Sequence, residues 1–357
     1  MQNRIRILQK ELKKENLDAF LITFPISQTY LTNFRFSSGA VLVLQDQAYL
    51  LTDSRYIEEA QNKARDCEVV LFQYMMETLK NLLKKHNVKT IVPEQAHMTL
   101  AEWSSLRQYI DNVTWIDSPV LDKALSQMRM FKDAEELEFL RQAQRITEGA
   151  FEEMLNFLKP GVSEKEAALA IEFYMKKHGS EGLSFELIVI SGPRTSLPHG
   201  HPTDGVIRSG DFVTMDTGAV VNGMRADMTR TVAIGSVSDE QRLVYETVLA
   251  AQKNAIRLVK EGVACKDVDE AARSVIRNAG YGDYFGHSLG HGIGLEVHEE
   301  PRFSPRSEAI AQENMVITVE PGIYLPGKFG VRIEDMVRVT KNGCENLTKA
   351  EKSLIVL

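Results

Sequence analysis

Asp211-Phe-Val-Thr-Met-Asp216-Thr-Gly-Ala, followed after Val220 by Val221-Asn-Gly-Met-Arg-Ala-Asp227-Met-Thr-Arg230, reads as two apolar strands folded back on each other, each carrying an acid. Asn222-Gly223 is a strong hairpin signal, because both residues tolerate the positive φ that a two-residue turn needs. With those two residues as the loop, Asp227 falls opposite Gly218 and Asp216 is its diagonal neighbour on the same face. Both carboxylates then reach one point.

A second pair repeats the theme as Asn314-Met-Val-Ile-Thr-Val-Glu320-Pro-Gly and Lys328-Phe-Gly-Val-Arg-Ile-Glu334-Asp-Met-Val-Arg-Val. A reversal centred on Gly327 sets Glu320 directly opposite Glu334. Like charges facing each other across a ladder repel, so something positive belongs between them, and a divalent cation is the economical choice. Buried salt bridges to Arg225, Arg230 and Arg332 are the bland alternative.

The third stretch is Phe285-Gly-His287-Ser-Leu-Gly-His291-Gly-Ile-Gly-Leu-Glu-Val-His298-Glu, whose glycines argue against a helix and for backbone held close to a crowded site. One imidazole joining four carboxylates makes an oxygen-rich set with a single nitrogen, suited to Mn²⁺, Co²⁺, Zn²⁺ or Fe²⁺. Four acids exceed the need of one cation. Two divalent ions are therefore expected; the donor set leaves their identity open, and Mn²⁺ is taken first, with Co²⁺ or Zn²⁺ as alternates.

Outward from these stretches the chain repeats itself. Leu158-Lys-Pro-Gly-Val-Ser-Glu-Lys-Glu and Val259-Lys-Glu-Gly-Val-Ala-Cys-Lys-Asp lie 101 positions apart, and Gly179 and Gly280 follow at the same offset. Each copy reads as a long helix, a Gly-Val turn, a second helix and an acid-bearing strand pair. Two copies are too few and too long for a solenoid, so a pseudo-two-fold domain with a shared central cleft is expected. Before it, helices near 2–15, 54–64, 74–86 and 98–110 alternate with strands near 18–24, 39–44, 48–53, 67–72, 88–92 and 113–116, an α/β pattern, with Pro25 closing the first strand. The division expected is 1–122 for a smaller amino-terminal α/β domain, 123–132 for a linker and 133–357 for the catalytic domain. The run Glu299 to Glu313, with mixed charge and two prolines, reads as a solvated connector.

Bulk composition narrows the function. With 357 residues, 43% hydrophobic and 25% charged, the chain suits a two-domain globular protein. Its 42 basic and 49 acidic residues leave a net charge of −7, no general attraction for nucleic acid or anionic lipid. No run approaches the roughly 18 apolar residues needed to cross a membrane. Cys67, Cys265 and Cys344 are scattered and odd in number, which fits neither a disulfide framework nor a thiolate cluster, and a reducing cytoplasm is expected.

Taken with their flanks, Asp216 in Met-Asp-Thr-Gly, Asp227 in Ala-Asp-Met-Thr-Arg-Thr, His291 in Leu-Gly-His-Gly-Ile-Gly, Glu320 in Val-Glu-Pro-Gly-Ile-Tyr and Glu334 in Val-Arg-Ile-Glu-Asp resemble the five metal ligands of the pita-bread metallopeptidases. Within that clan the chain resembles the Xaa-Pro aminopeptidases and Xaa-Pro dipeptidases (prolidases), nearly end to end. The resemblance implies an α/β two-domain chain, its second domain a pita-bread α+β fold, that cleaves the Xaa-Pro bond of dipeptides or short peptides with two metal ions. It implies that Asp227 and Glu334 bridge the metals, Asp216 completes one shell, and His291 and Glu320 complete the other. His199, in Ser191-Gly-Pro-Arg-Thr-Ser-Leu-Pro-His199-Gly, and His298 match residues that touch substrate. His287 matches a pocket position and Arg332 an arginine beside the last ligand. Glu320 is also the candidate proton shuttle, and a homodimer is expected. The competing expectations are an Xaa-Pro aminopeptidase acting on longer peptides, a metal-free relative such as creatinase, and a binding protein that has lost its chemistry.

Overall fold

The computed structural model describes residues 3–357, which fall into two compact units divided after Met128. In the first unit, α1 (Arg4–Lys14) buries Ile5, Leu8 and Leu12 along one stripe, and the Asn3 side chain caps it by accepting the Arg6 N–H. A six-stranded sheet follows, built from β1 (Ala19–Ile22), β2 (Gly39–Leu44), β3 (Ala48–Thr52), β4 (Glu68–Leu71), β5 (Thr90–Pro93) and β6 (Thr114–Trp115). Its order is β4-β3-β2-β1-β5-β6, with β2 antiparallel to both neighbours and the outer pairings parallel. The central strands are apolar without alternation because both of their faces are covered.

Pro25 does not merely close a strand. It opens α2 (Pro25–Thr32), where a fixed φ and a missing N–H cost nothing at the first helical turn. The expected helices appear as α3 (Ile57–Lys63), α4 (Met75–Lys85) and α5 (Leu100–Tyr109), and α6 (Val120–Met130) follows.

The second unit is duplicated. Helix α7 (Ala134–Phe157) starts with a capping box between Asp133 and Glu136, and α8 (Glu164–Lys177) starts with one between Ser163 and Glu166. Their counterparts α9 (Asp239–Leu258) and α10 (Cys265–Asn278) end and begin 101 positions later. At the turns between the paired helices, Gly161 and Gly262 have φ of 101° and 85°, a backbone that side chains resist.

The first half holds the sheet β7 (Ile188–Ser191), β8 (Phe212–Thr217) and β11 (Met228–Ala233), with the tip hairpin β9 (Val220–Val221) and β10 (Met224–Arg225). In the second, β12 (Gly290–Gly292), β13 (Glu299–Phe303), β14 (Val316–Val319), β17 (Asp335–Thr340) and β18 (Gly343–Asn346) form one sheet, and β15 (Gly322–Leu325) pairs with β16 (Phe329–Arg332). One apolar cluster unites α7 and α8 with the first sheet through Phe151, Ile171, Val189 and Met215. Another unites α9 and α10 with the second through Val248, Val268, Ile317 and Val337. The acids lie away from both clusters.

Residues 299–303 are not a solvated connector. They form β13, with Glu299, Pro301 and Phe303 buried and Glu300 and Arg302 exposed. An acid at an inward position disguises the period-two pattern, since charged residues in a strand ordinarily face water. Among the described residues no helix is long and apolar enough to cross a membrane.

Candidate metal centre

Asn222 and Gly223 take φ of 47° and 78°, the pair of positive angles a two-residue hairpin turn needs. The register that follows, Val221 with Met224 and Met228 with Thr217, sets Asp227 across from Gly218 and Asp216 across from Thr229. A Cβ on Gly218 would stand 2.0 Å from the Ala226 carbonyl oxygen, so the two strands meet where only glycine fits.

In the second half, Gly327 turns the chain with φ of 72°. Pairing of Gly322 with Arg332 on one side and Val319 with Asp335 on the other leaves Glu320 opposite Glu334. Strand β12 brings His291 alongside β14, and here too a glycine permits the approach: a Cβ on Gly290 would lie 1.9 Å from the Thr318 carbonyl oxygen.

Ligand atoms of Asp227, His291 and Glu334 all lie within 4.8 Å of one another, and all three residues are buried. Glu320 stands against the same imidazole, its Oε1 3.3 Å from His291 Nε2, while Asp227 Oδ2 is 3.7 Å from that nitrogen. His291 Nδ1 faces the Gly292 carbonyl at 3.1 Å and must donate to it, which leaves Nε2 as a lone pair aimed at the acids. Asp216 joins through Arg332, whose Nη2 donates to its Oδ2 at 2.6 Å. Thr229 Oγ1 donates to Glu334 Oε2 at 2.7 Å, and Thr318 Oγ1 to Glu320 Oε1 at 3.2 Å, so the acids of the second pair are aimed by hydroxyls.

Divalent cations fit this set. Among the described residues, Asp216 Oδ1 and Glu334 Oε1 are buried without a hydrogen-bond partner, an arrangement that costs free energy unless something electropositive meets them. Burial, then the neighbouring carboxylates, pushes Asp227 and Glu334 well above the usual carboxylate range. Glu320 is pushed up to about 8, chiefly by burial and also by Asp216. His291 is held down at about 3, first by burial and then by His298, so its imidazole is neutral and free to ligate.

Around this core the other expected residues separate. His298, exposed, sits edge-on to His291 with ring centroids 4.3 Å apart. Its pKa is lowered by partial burial, then by Arg302 and His199. His199 is exposed on the loop after β7, and Arg332 Nη1 donates to the carbonyl of its neighbour Pro198 at 3.2 Å. His287 is half-buried and held at about 4, chiefly by burial, then by Arg332 and His199. Its Nδ1 donates to the Ser288 carbonyl at 2.8 Å, so Nε2 accepts from the Tyr324 hydroxyl at 3.0 Å. That hydroxyl in turn accepts from Arg332 Nη1 at 2.9 Å. Asp216, Arg332, Tyr324 and His287 thus form one hydrogen-bonded line. Tyr324, whose stretch Tyr324-Leu-Pro-Gly-Lys328 reads equally from the sequence as a substrate contact near the cleft or as a plain hairpin cap, is the member of this line that the sequence left undecided. Its position four residues after Glu320, on the strand that follows that acid, was the available signal. His201 is a surface residue, 3.5 Å from the exposed Glu186.

Residues 138–341 match the description of Metallopeptidase family M24. The chain belongs to that family. Residues 4–131 match the Creatinase/Prolidase N-terminal domain, so both parts of this M24 peptidase are accounted for. It is 37% identical over 356 residues to the Xaa-Pro dipeptidase of Pyrococcus furiosus, covering 99% of this chain and 100% of that one. Among solved structures, the Xaa-Pro dipeptidase from Bacillus anthracis superposes with a TM-score of 0.95 at 39% identity, covering 99% of each chain. The X-Pro aminopeptidase from Thermotoga maritima superposes with a TM-score of 0.90 at 41% identity, also covering 99% of each. This M24 peptidase is a metal-dependent enzyme with a peptide substrate, built on the two-domain plan of the Xaa-Pro peptidases. The readings as a metal-free relative or an inactive binding protein are not favoured.

Proposed function

We propose that this enzyme hydrolyses the bond before proline in dipeptides and short peptides, using two Mn²⁺ ions. The observation that carries the reading is the convergence of Asp227, His291 and Glu334 within 4.8 Å, with Glu320 against the same imidazole, in a chain that matches Xaa-Pro dipeptidases end to end. Asp227 and Glu334 would each serve both ions, Asp216 would complete one shell, and His291 and Glu320 the other. Bound there, such ions lower the pKa of water and polarise a carbonyl group.

The protein's own residues do the rest. His298 and His199 hold the substrate carbonyl oxygen, and His298 donates to it as negative charge develops. Glu320 passes a proton to the departing proline nitrogen. That nitrogen is tertiary in the substrate and has no hydrogen of its own, so a proton must reach it before the bond can part cleanly. The line from Asp216 through Arg332 and Tyr324 to His287 holds the imidazole with a neutral ring, and His287 lines the pocket beside the ring of proline.

The same proposal divides the chain into 1–122, 123–132 and 133–357, and places the enzyme in the cytoplasm as a homodimer. Three free cysteines are compatible with a reducing compartment, and two-fold pairing is the commonest assembly of soluble enzymes. Hydrolysis of Ala-Pro, Ala-Pro-Ala and Ala-Ala with added Mn²⁺ tests the activity. Cleavage confined to Ala-Pro is expected. Faster cleavage of Ala-Pro-Ala makes it an aminopeptidase, the reading that the Thermotoga maritima likeness supports, and equal cleavage of Ala-Ala removes proline selectivity altogether.

A further inference from the structure

Three loops carry histidines to the cleft, and behind each stands a buried carboxylate that never faces the acids of the centre. Glu164, the first residue of α8, is fully buried. It accepts the Ser191 N–H at 2.8 Å and the Thr203 N–H at 2.9 Å, with the hydroxyls of both residues at 3.2 and 2.7 Å. Arg194 Nε approaches both of its oxygens at 3.2 Å, and the same guanidinium donates to the His201 carbonyl at 2.6 Å. Ser191 and Thr203 are the two stems of the loop that presents His199, so one side chain closes that loop at its base. On the opposite side, Gly330 N–H donates to Thr195 Oγ1 at 2.8 Å, and Arg332 grips the Pro198 carbonyl.

The arrangement recurs. Asp269 accepts the Leu289 N–H at 3.0 Å and pairs with Arg273, which donates to the carbonyls of Phe285 and His287, both at 2.9 Å. Glu299 accepts the Glu296 N–H at 3.2 Å and pairs with Arg129 and Lys132 beside His298.

We propose that Glu164 is a positioning residue for His199, fixing both stems of its loop so that the imidazole meets the substrate in one orientation. This rests on the reading that His199 touches substrate. Every neighbour of the Glu164 carboxylate is a donor, so an amide in its place points N–H groups at N–H groups and cannot satisfy both stems. The loop contains no proposed metal ligand, so cation uptake is separable from the effect.

The test compares metal-loaded Glu164→Gln, His199→Ala and the double variant on Ala-Pro, with Mn²⁺ binding to each metal-free protein measured by calorimetry. Glu164→Gln should lower kcat by about tenfold, within the roughly 10–100-fold range of lost supporting contacts, with Mn²⁺ affinity unchanged. The double variant should be no slower than His199→Ala, because the two residues act as one unit. Thr203→Val, which removes a single hydroxyl contact, should lower kcat in the same direction by a smaller factor and covers the case in which Glu164→Gln does not fold. If the two losses multiply, or if Glu164→Gln or Thr203→Val retains parental kcat, the positioning role is lost while that of His199 stands. Parental turnover in His199→Ala overturns the substrate role of His199 itself, and the inference falls with it.

Discussion

The two halves of the second unit share helices, turns and offset, yet they present their acids differently. In the first half Asp216 is paired with Arg332, which arrives from the other half, 2.6 Å away. In the second, Glu320 is hydrogen-bonded by the Thr318 hydroxyl and faces the His291 imidazole, and burial pushes it up to about 8 although the Arg332 charge opposes the shift. Strand β12 stands where β7 stands in the first half, 101 positions earlier and likewise antiparallel to the strand that leads into an acid, but it carries His291 where β7 carries Ile190. Duplication supplies two acid-bearing hairpins, and the partners delivered to each then divide the labour. A carboxylate gripped directly by a guanidinium is held in one position, whereas one that is buried and bonded only by a hydroxyl is suited to exchanging a proton.

That contrast breaks most sharply at the two acids proposed to serve both ions. Asp227→Ala or Glu334→Ala should abolish turnover, beyond the roughly 10–100-fold loss that follows removal of an outer partner, and should loosen both cations. Metal content after dialysis checks this, and a variant that retains either parental activity or two tightly held ions contradicts it. Next comes the partner that distinguishes the halves. Arg332→Met removes the ion-pair partner of buried Asp216 and should destabilise the metal-free protein by about 3–5 kcal/mol, read from denaturant unfolding. A change near zero would mean that Asp216 does not depend on the other half. His298→Ala should lower kcat by about 10²-fold while both ions stay bound, if the imidazole donates to the developing oxyanion.

The smallest effect concerns pH. Glu320, ordinarily near 4.5, sits at about 8 in the folded metal-free protein, so between those values the folded state holds a proton that the unfolded chain has released. Stability therefore falls as pH rises through that window. His287 and His291, lowered from 6.5 to about 4 and about 3, and His298, also lowered, act in the opposite sense, an effect that fades as pH rises past 6.5. As pH then rises toward 8 the acids dominate, and the melting temperature of the metal-free protein should decline. Saturating Mn²⁺ should flatten the slope. A metal-free protein whose melting temperature rises over this window would place the excess protons elsewhere.

Much of this geometry was legible in the chain. The pairing of both acid-bearing hairpins follows from Asn222-Gly223 and Gly327, because a tight turn fixes which residues face each other for several positions on either side. The duplication was visible because its turns need glycine at equivalent places. Arg332 reads from the sequence as a buried partner for the acids, and it does pair with Asp216, but other partners brought together from distant positions could not be read: Tyr324 between Arg332 and His287, and Glu164 on Thr203. Local periodicity carries no information about them. Glu299 misled for a related reason, since the two cations that make its burial tolerable, Arg129 and Lys132, lie on a segment that no pattern near residue 299 announces.

Gly218 and Gly290 set a boundary on how this enzyme can be altered. At both places a single added methyl group would run into a carbonyl of the adjoining chain, not into a side chain able to swing aside. Repacking offers no escape, and the strands themselves would have to separate, carrying the carboxylates and the imidazole apart. A mutant library aimed at new substrates should therefore leave both positions fixed and spend its diversity on the exposed histidine loops.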